Sequence, residues 1–237
     1  MSRRAVELLE IPAGWFWMGW DDGLPDARPA HHVWVEGFLM ARAPVTNAEF
    51  GAFLRGSAAA PPPFWADPRF AHPEQPVVGV SWDEAVRFCD WLTGETGLPH
   101  RLPTEAEWER AARGGRERAR YPWGDEPPDR WFGPSAGPLA APPRVGQGPI
   151  NGFGLTDLAG VVHEWCLDWY AADAYAREPR RAPTGPPHGS RRVSRGGAWR
   201  HQSPWSPVAH RSSLPPHLRY SDYGFRVTRG AAPAPPR

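Results

Sequence analysis

The chain has 237 residues, a net charge of +1, and 31 Pro, 25 Gly and 14 Trp, which is long enough for one large domain or two small ones around a sizeable core. With 41% hydrophobic and 22% charged residues it is not a disordered chain, and a balance so near neutral gives no reason to expect a nucleic-acid partner. All of its basic residues are arginine, which excludes a lysine Schiff base, a P-loop lysine and a lysine general base.

The opening residues Met1–Glu10 hold too few apolar side chains for a signal-peptide core, and no later run approaches the length of a membrane span. A cytoplasmic protein without membrane association is therefore expected. Short strands are predicted over Trp15–Met18 and His32–Val35. Thr46-Asn-Ala-Glu49, Ser81-Trp-Asp-Glu84 and Thr104-Glu-Ala-Glu107 each spell a capping box, in which hydroxyl and carboxylate satisfy each other's free amides at a helix start. The first helix turns Phe50, Phe53 and Leu54 inward, and the second does so with Ala85, Phe88, Cys89 and Leu92. The third carries Trp108, Ala111 and Ala112 and stops at Gly114-Gly115. The arginine-rich stretch 113–120 reads as a solvated loop, and 58–63 and 134–143 read as surface loops.

Strands are predicted again at Val193–Arg195 and Gly224–Thr228, and 230–237 reads as a disordered Pro/Ala tail. Two cysteines, Cys89 and Cys166, cannot build a disulfide framework and form no CxxC pair, so both read as buried thiols. No GxSxG, Walker or GxGxxG motif occurs. Frequent Pro and Gly break regular elements while Trp supplies buried area. The fold class is accordingly α+β: a loop-rich domain with short antiparallel strands and few helices.

A series of motifs then appears in order. Ile11-Pro-Ala-Gly-Trp-Phe-Trp-Met-Gly19, Pro44-Val-Thr-Asn47, Pro76-Val-Val-Gly-Val-Ser-Trp-Asp-Glu-Ala85 and Arg101-Leu-Pro-Thr-Glu-Ala-Glu-Trp-Glu109 come first. Tyr121-Pro-Trp-Gly-Asp-Glu126, Gly154-Leu-Thr-Asp-Leu-Ala-Gly160, Glu164-Trp165, Arg195-Gly-Gly197 and Gly224-Phe-Arg226 follow. Over residues 8–229 the chain resembles the formylglycine-generating-enzyme (sulfatase-modifying factor) family, which implies an elaborated C-type-lectin-like fold. The activities the resemblance implies are copper-dependent oxidation of a sulfatase cysteine, iron-dependent C–S bond formation, siderophore maturation and non-catalytic ligand display.

The copper enzymes of that family carry two cysteines after the Arg-Gly-Gly motif. Aligned on the glycines, those positions are His201 and Ser206 here, and a serine of the family is Ala198. Formylglycine generation is therefore not expected. The C–S bond-forming relatives place iron histidines partly on a separate helical bundle, for which the residues before 11 leave no room, so that activity is not expected unless the bundle is a separate protein. The resemblance implies a structural calcium held by Asp157, the carbonyls of Gly160 and Val162, and Glu164; the alternative is that Asp157 caps a turn and Glu164 pairs with an arginine. A second family calcium is not expected, since 137–148 has no carboxylate.

His163 replaces a groove-bordering tryptophan of the family and His201 a metal-binding cysteine, with His210 and His217 downstream. Converging imidazoles can hold copper, iron or zinc with an open position; equally, they can line a groove without metal. Trp199, Trp205, Ser206 and Arg211 complete a candidate groove for a peptide, protein or small-molecule ligand. Two functions follow: a calcium-stabilised binding or accessory module, or a metal-dependent oxidase or oxygenase acting on a peptide-derived substrate through His163 and His201.

Overall fold

Each of the three capping boxes starts a helix. In the computed structural model, which describes residues 6–126, 139–201 and 207–230, Thr46, Ser81 and Thr104 accept the N–H of Glu49, Glu84 and Glu107. These residues cap α1 (Asn47–Gly56), α2 (Trp82–Thr96) and α3 (Glu105–Arg113) respectively. α2 and α3 end on Gly97 and Gly114 with φ +69° and +59°, the left-handed conformation that glycine adopts without a Cβ penalty. α1 and α2 bury a ring cluster in which Phe50 stacks on Phe88 at 5.8 Å and Phe225 meets Phe88 edge-on at 5.3 Å.

The strands are β1 (Leu8–Ile11), β2 (Gly14–Met18), β3 (His31–Val35), β4 (Phe38–Ala41), β5 (His100–Arg101), β6 (His163–Trp169), β7 (Arg192–Arg195), β8 (Arg211–Leu214), β9 (Tyr223–Gly224) and β10 (Thr228–Gly230). A four-residue helix, α4 (Ala174–Arg177), follows β6. They form one sheet in the order β1-β4-β10-β5, a β2–β3 pair, and a second four-stranded sheet in the order β8-β7-β6-β9. The fold is α+β and loop-rich, as expected. The stretch predicted as one strand over 224–228 divides between two sheets, as β9 beside β6 and β10 beside β4. Gly230 still pairs with Phe38, and the rest of the predicted tail lies outside the described residues.

The alternation of β2 and β3 turns Phe16, Met18, Val33 and Val35 onto Trp108 of α3 and Cys166 of β6. Cys89 belongs to the other core, among Phe88, Leu102 and Trp165. Both thiols are free and buried, and burial pushes both upward in pKa. Both are therefore held as neutral thiols at physiological pH.

Two expectations about arginines are corrected by α3. Its Glu105 and Glu109 are buried, and so are Arg113, Arg195 and Arg211. Arg113 is not part of a solvated loop: it is 3% exposed and donates Nε–H to Glu109 at 3.0 Å. Arg211, expected in a ligand groove, donates Nε–H and Nη2–H to the two oxygens of Glu105 at 2.7 and 2.8 Å. The helix needs cations there because a buried carboxylate is stable only when paired.

Glu178 sits just outside this network without an arginine of its own among the described residues. Burial, then the nearby Glu105 carboxylate, pushes its carboxyl up to about 7. The folded chain therefore favours the protonated form. Its contribution to stability is complete below the unfolded value of about 4.3 and is lost as pH rises through about 7. Replacing Glu178 with Gln is expected to leave Tm unchanged at pH 4 and to raise stability at pH 8 by roughly 1–2 kcal/mol, reduced for its partial exposure. Thermal melts at the two pH values check this.

Candidate metal centre

Three chain segments meet at one end of the β8-β7-β6-β9 sheet. His163 is the first residue of β6 and lies opposite Tyr223 of β9 in parallel register. Its N–H donates to the Asp222 carbonyl at 2.8 Å. After β7 the chain turns at Gly196 and Gly197, with φ +91° and +68°. A Cβ on Gly196 would stand 3.2 Å from the Leu158 carbonyl and 3.3 Å from the Trp108 ring, so only glycine fits this turn without strain. The turn returns residues 198–201 alongside 160–163: Gly160 donates to the Gly196 carbonyl at 2.9 Å and Trp199 to the Val161 carbonyl at 3.2 Å.

His163 and His201 are thereby brought together, their Nε2 atoms 3.2 Å apart. Asp222 completes the group, with Oδ2 at 3.6 Å from His201 Nε2, and one ligand atom from each of the three lies within 4.8 Å of the others. The His163 ring is buried and stacks on Tyr223 at 4.9 Å and 27°. Burial, and then the neighbouring His201, His210 and Arg200, push its imidazole down to about 3. It is consequently neutral at physiological pH, the form that ligates metal. His201 is 40% exposed and gives the cluster its solvent side. His163 Nδ1 and Asp222 Oδ1 are buried without a hydrogen-bond partner among the described residues.

The other predicted residues distribute differently. Trp199 is buried rather than lining a groove: it packs against Phe70 at 5.8 Å and donates Nε1–H to the Ser221 carbonyl at 3.1 Å. Trp205 and Ser206 lie outside the described residues. His210 lies close enough to depress His163 electrostatically but is not one of the converging three, and His217 is exposed. Asp222 was not singled out from sequence. It directly precedes the Tyr223-Gly-Phe-Arg226 stretch, and its role depends on a parallel β6–β9 pairing that no local pattern announces.

The residues expected to bind calcium do not fit that ion in this arrangement. Both oxygens of Glu164 accept hydrogen bonds from Arg226, Nε–H to Oε2 at 2.6 Å and Nη2–H to Oε1 at 2.7 Å, and Oε2 also accepts Trp108 Nε1–H at 2.7 Å. Arg226 further donates to the Thr156 carbonyl at 3.1 Å, so its guanidinium already bridges that carbonyl and the Glu164 carboxylate. Asp157, with φ +59°, caps a turn by accepting the N–H groups of Gly146 and Gly148 at 2.6 and 3.2 Å. The Gly160 and Val162 carbonyls are left without a shared pair of free carboxylate oxygens, and calcium, which takes six or more oxygens, finds no such set here. No helix among the described residues is long and apolar enough to cross a membrane.

Comparison with known proteins places this geometry in context. Residues 2–231 match the Sulfatase-modifying factor enzyme 1-like domain. The Streptomyces coelicolor formylglycine-generating enzyme is 34% identical over 286 aligned positions that cover 94% of this chain and 89% of the relative. The Chlamydia caviae serine/threonine-protein kinase pkn1 is 34% identical over 95% of this chain, which spans 38% of the length of that relative. The Bos taurus inactive C-alpha-formylglycine-generating enzyme 2 is 31% identical, covering 98% of this chain and 91% of the relative. Among solved structures, Treponema denticola variable protein 1 superposes with a TM-score of 0.80 and PvdO from Pseudomonas aeruginosa with 0.78; each is 26% identical over 94% of both chains. By the extent of the match and the order of its motifs, the chain belongs to the sulfatase-modifying factor (formylglycine-generating-enzyme-like) family.

Proposed function

We propose that this chain is a metal-dependent member of its family in which His163, His201 and Asp222 take the place of a thiol–copper centre, and that it oxidises a peptide or peptide-derived ligand held beside them. The observation that carries this reading is the spacing of the donors. Ligands about 2.1 Å from a shared ion stand roughly 3.0 Å apart at cis octahedral positions and roughly 3.4 Å apart at tetrahedral ones. The Nε2–Nε2 and Nε2–Oδ2 separations of 3.2 and 3.6 Å lie close to those values. Two imidazoles and one carboxylate with open positions are the donor set of non-haem iron oxygenases. A bound iron or copper ion would supply the redox chemistry and the site for dioxygen. The protein's part is to hold a neutral imidazole at His163, to fix Asp222 through the β6–β9 pairing, and to leave His201 toward solvent where a ligand enters. Cys89 and Cys166, buried in separate cores, offer no competing thiol site.

The test is elemental analysis of the purified protein after incubation with iron(II), copper and zinc, beside a His201→Ala variant, with oxygen consumption followed on the iron- and copper-loaded forms. One equivalent of metal in the parent, absent from the variant, is the expected result. A parent protein that retains no transition metal would leave the second reading, a ligand-binding or accessory module. That second reading draws support from the relative named as an inactive formylglycine-generating enzyme.

A further inference from the structure

The proposed centre has a partly exposed guanidinium beside it that is not one of the three proposed ligands. Arg200 donates Nε–H to Asp222 Oδ2 at 2.7 Å, its side chain is 47% exposed, and its Cζ lies 5.8 Å from the centre of the Tyr220 ring. The described residues offer its Nη1 and Nη2 no hydrogen-bond partner. Asp222 Oδ1, meanwhile, is buried and unpartnered. The arginine is thus anchored through Nε to a proposed metal ligand, while its end-on pair of nitrogens has no partner among the described residues and its side chain is half exposed beside the cluster. That free pair matches the two oxygens of a carboxylate.

Charge points the same way. Asp222 and Arg200 cancel when no ion is bound, and a divalent ion beside them leaves a net charge of +2, which favours an anion. The other arginine near this loop, Arg219, is already taken, donating to both oxygens of Glu84 at 2.8 and 3.0 Å. One free fork suits a singly charged group better than a phosphate, which is usually held by several donors. We infer that Arg200 is a specificity-determining residue that receives a carboxylate, so that the ligand of the metal-loaded site is an amino acid or peptide bearing a free carboxylate. This rests on the metal reading above.

Zinc-loaded protein, which is redox-inert, allows the two to be tested separately. Zinc content is measured for every sample, and binding of N-acetylglycine, N-acetylglycinamide, N-acetylaspartate α-amide and inorganic phosphate is followed by titration calorimetry. N-acetylglycine is expected to bind the zinc-loaded protein, to bind the metal-free protein at least about tenfold more weakly, and to outcompete its amide by a similar factor. The aspartate derivative, compared with N-acetylglycine, tells a side-chain carboxylate from a terminal one. Arg200→Gln is expected to lose about tenfold in N-acetylglycine affinity while keeping zinc, with Arg200→Lys intermediate because it retains charge without the fork. If Arg200→Gln fails to hold zinc, the Arg200→Lys result decides. Absence of zinc from the parent overturns the metal reading. Zinc present with unchanged affinity in both variants, equal binding of the amide, or tighter binding of phosphate overturns the carboxylate assignment alone.

Discussion

Replacing Arg195 with Met is expected to destabilise the protein by about 3–5 kcal/mol, the usual cost of leaving a buried ion pair without one partner. The side chain is fully buried. Its Nη1 donates to Glu105 at 2.7 Å and to the Tyr175 hydroxyl at 3.0 Å, and its Nη2 donates to Glu109 and to the Val208 carbonyl, the latter at 2.7 Å. Burial pushes the Glu105 carboxyl up, but Arg211 and Arg195 outweigh it and hold that carboxyl below the usual range; Glu109 is held low in the same way by Arg113 and Arg195. Without Arg195, each glutamate keeps one arginine and loses the other, inside a core where solvent cannot replace it. For a chain of this size the loss corresponds to a fall in Tm of roughly 6–20 °C. The Arg195→Met/Glu109→Gln double variant should be less destabilised than the sum of its single changes, because both substitutions remove the same ion pair and together they leave the net charge of the network unchanged, although Arg113 then loses its carboxylate partner. An additive pair would mean that the arginine acts by packing alone. Since folded-state carboxyls held low lose their stabilising effect as pH falls through their folded values, the parent should also lose stability below about pH 4, and the double variant less so.

This network marks a boundary in what could be read from sequence. The three helix starts were legible because a capping box is local, with hydroxyl and carboxylate three residues apart. The inward faces of α1 and α2 were legible because helical spacing is local too. Arg195, Arg211 and Glu105, by contrast, are brought together across 90 and 106 residues of chain. An arginine looks the same in a sequence whether it faces solvent or completes a core. Arg211 was accordingly expected in a groove and Arg113 in a loop. The split of 224–228 between two sheets escaped notice for a related reason: a run of strand-forming residues does not reveal a change of partner midway. His163 and His201 were singled out only through what the family resemblance implies at their positions, and the structure brings their Nε2 atoms to 3.2 Å. The long-range pairing of β6 with β9 supplied Asp222, which had no motif of its own.

Asp222→Asn therefore gives an independent test of the centre, made at the residue that sequence reasoning did not choose. Asparagine keeps the size of the side chain and an oxygen that can accept Arg200 Nε–H, now at 2.7 Å, and leaves the backbone acceptor of His163 untouched. What it removes is the negative charge and a strong ligand for a divalent ion. If the three side chains form a metal centre, affinity for iron(II) or zinc is expected to fall by at least about 100-fold, measured by competition with a chelator of known strength, while the thermal melt of the metal-free protein moves little. If the two histidines are merely hydrogen-bonded to each other, the substitution leaves metal content where it was and the centre is refuted. His163 is already neutral, its imidazole pushed down to about 3 by burial and then by the neighbouring His201, His210 and Arg200. A loss of metal in this variant, with the melt of the metal-free protein unchanged, therefore reports on ligation rather than on a collapse of the site.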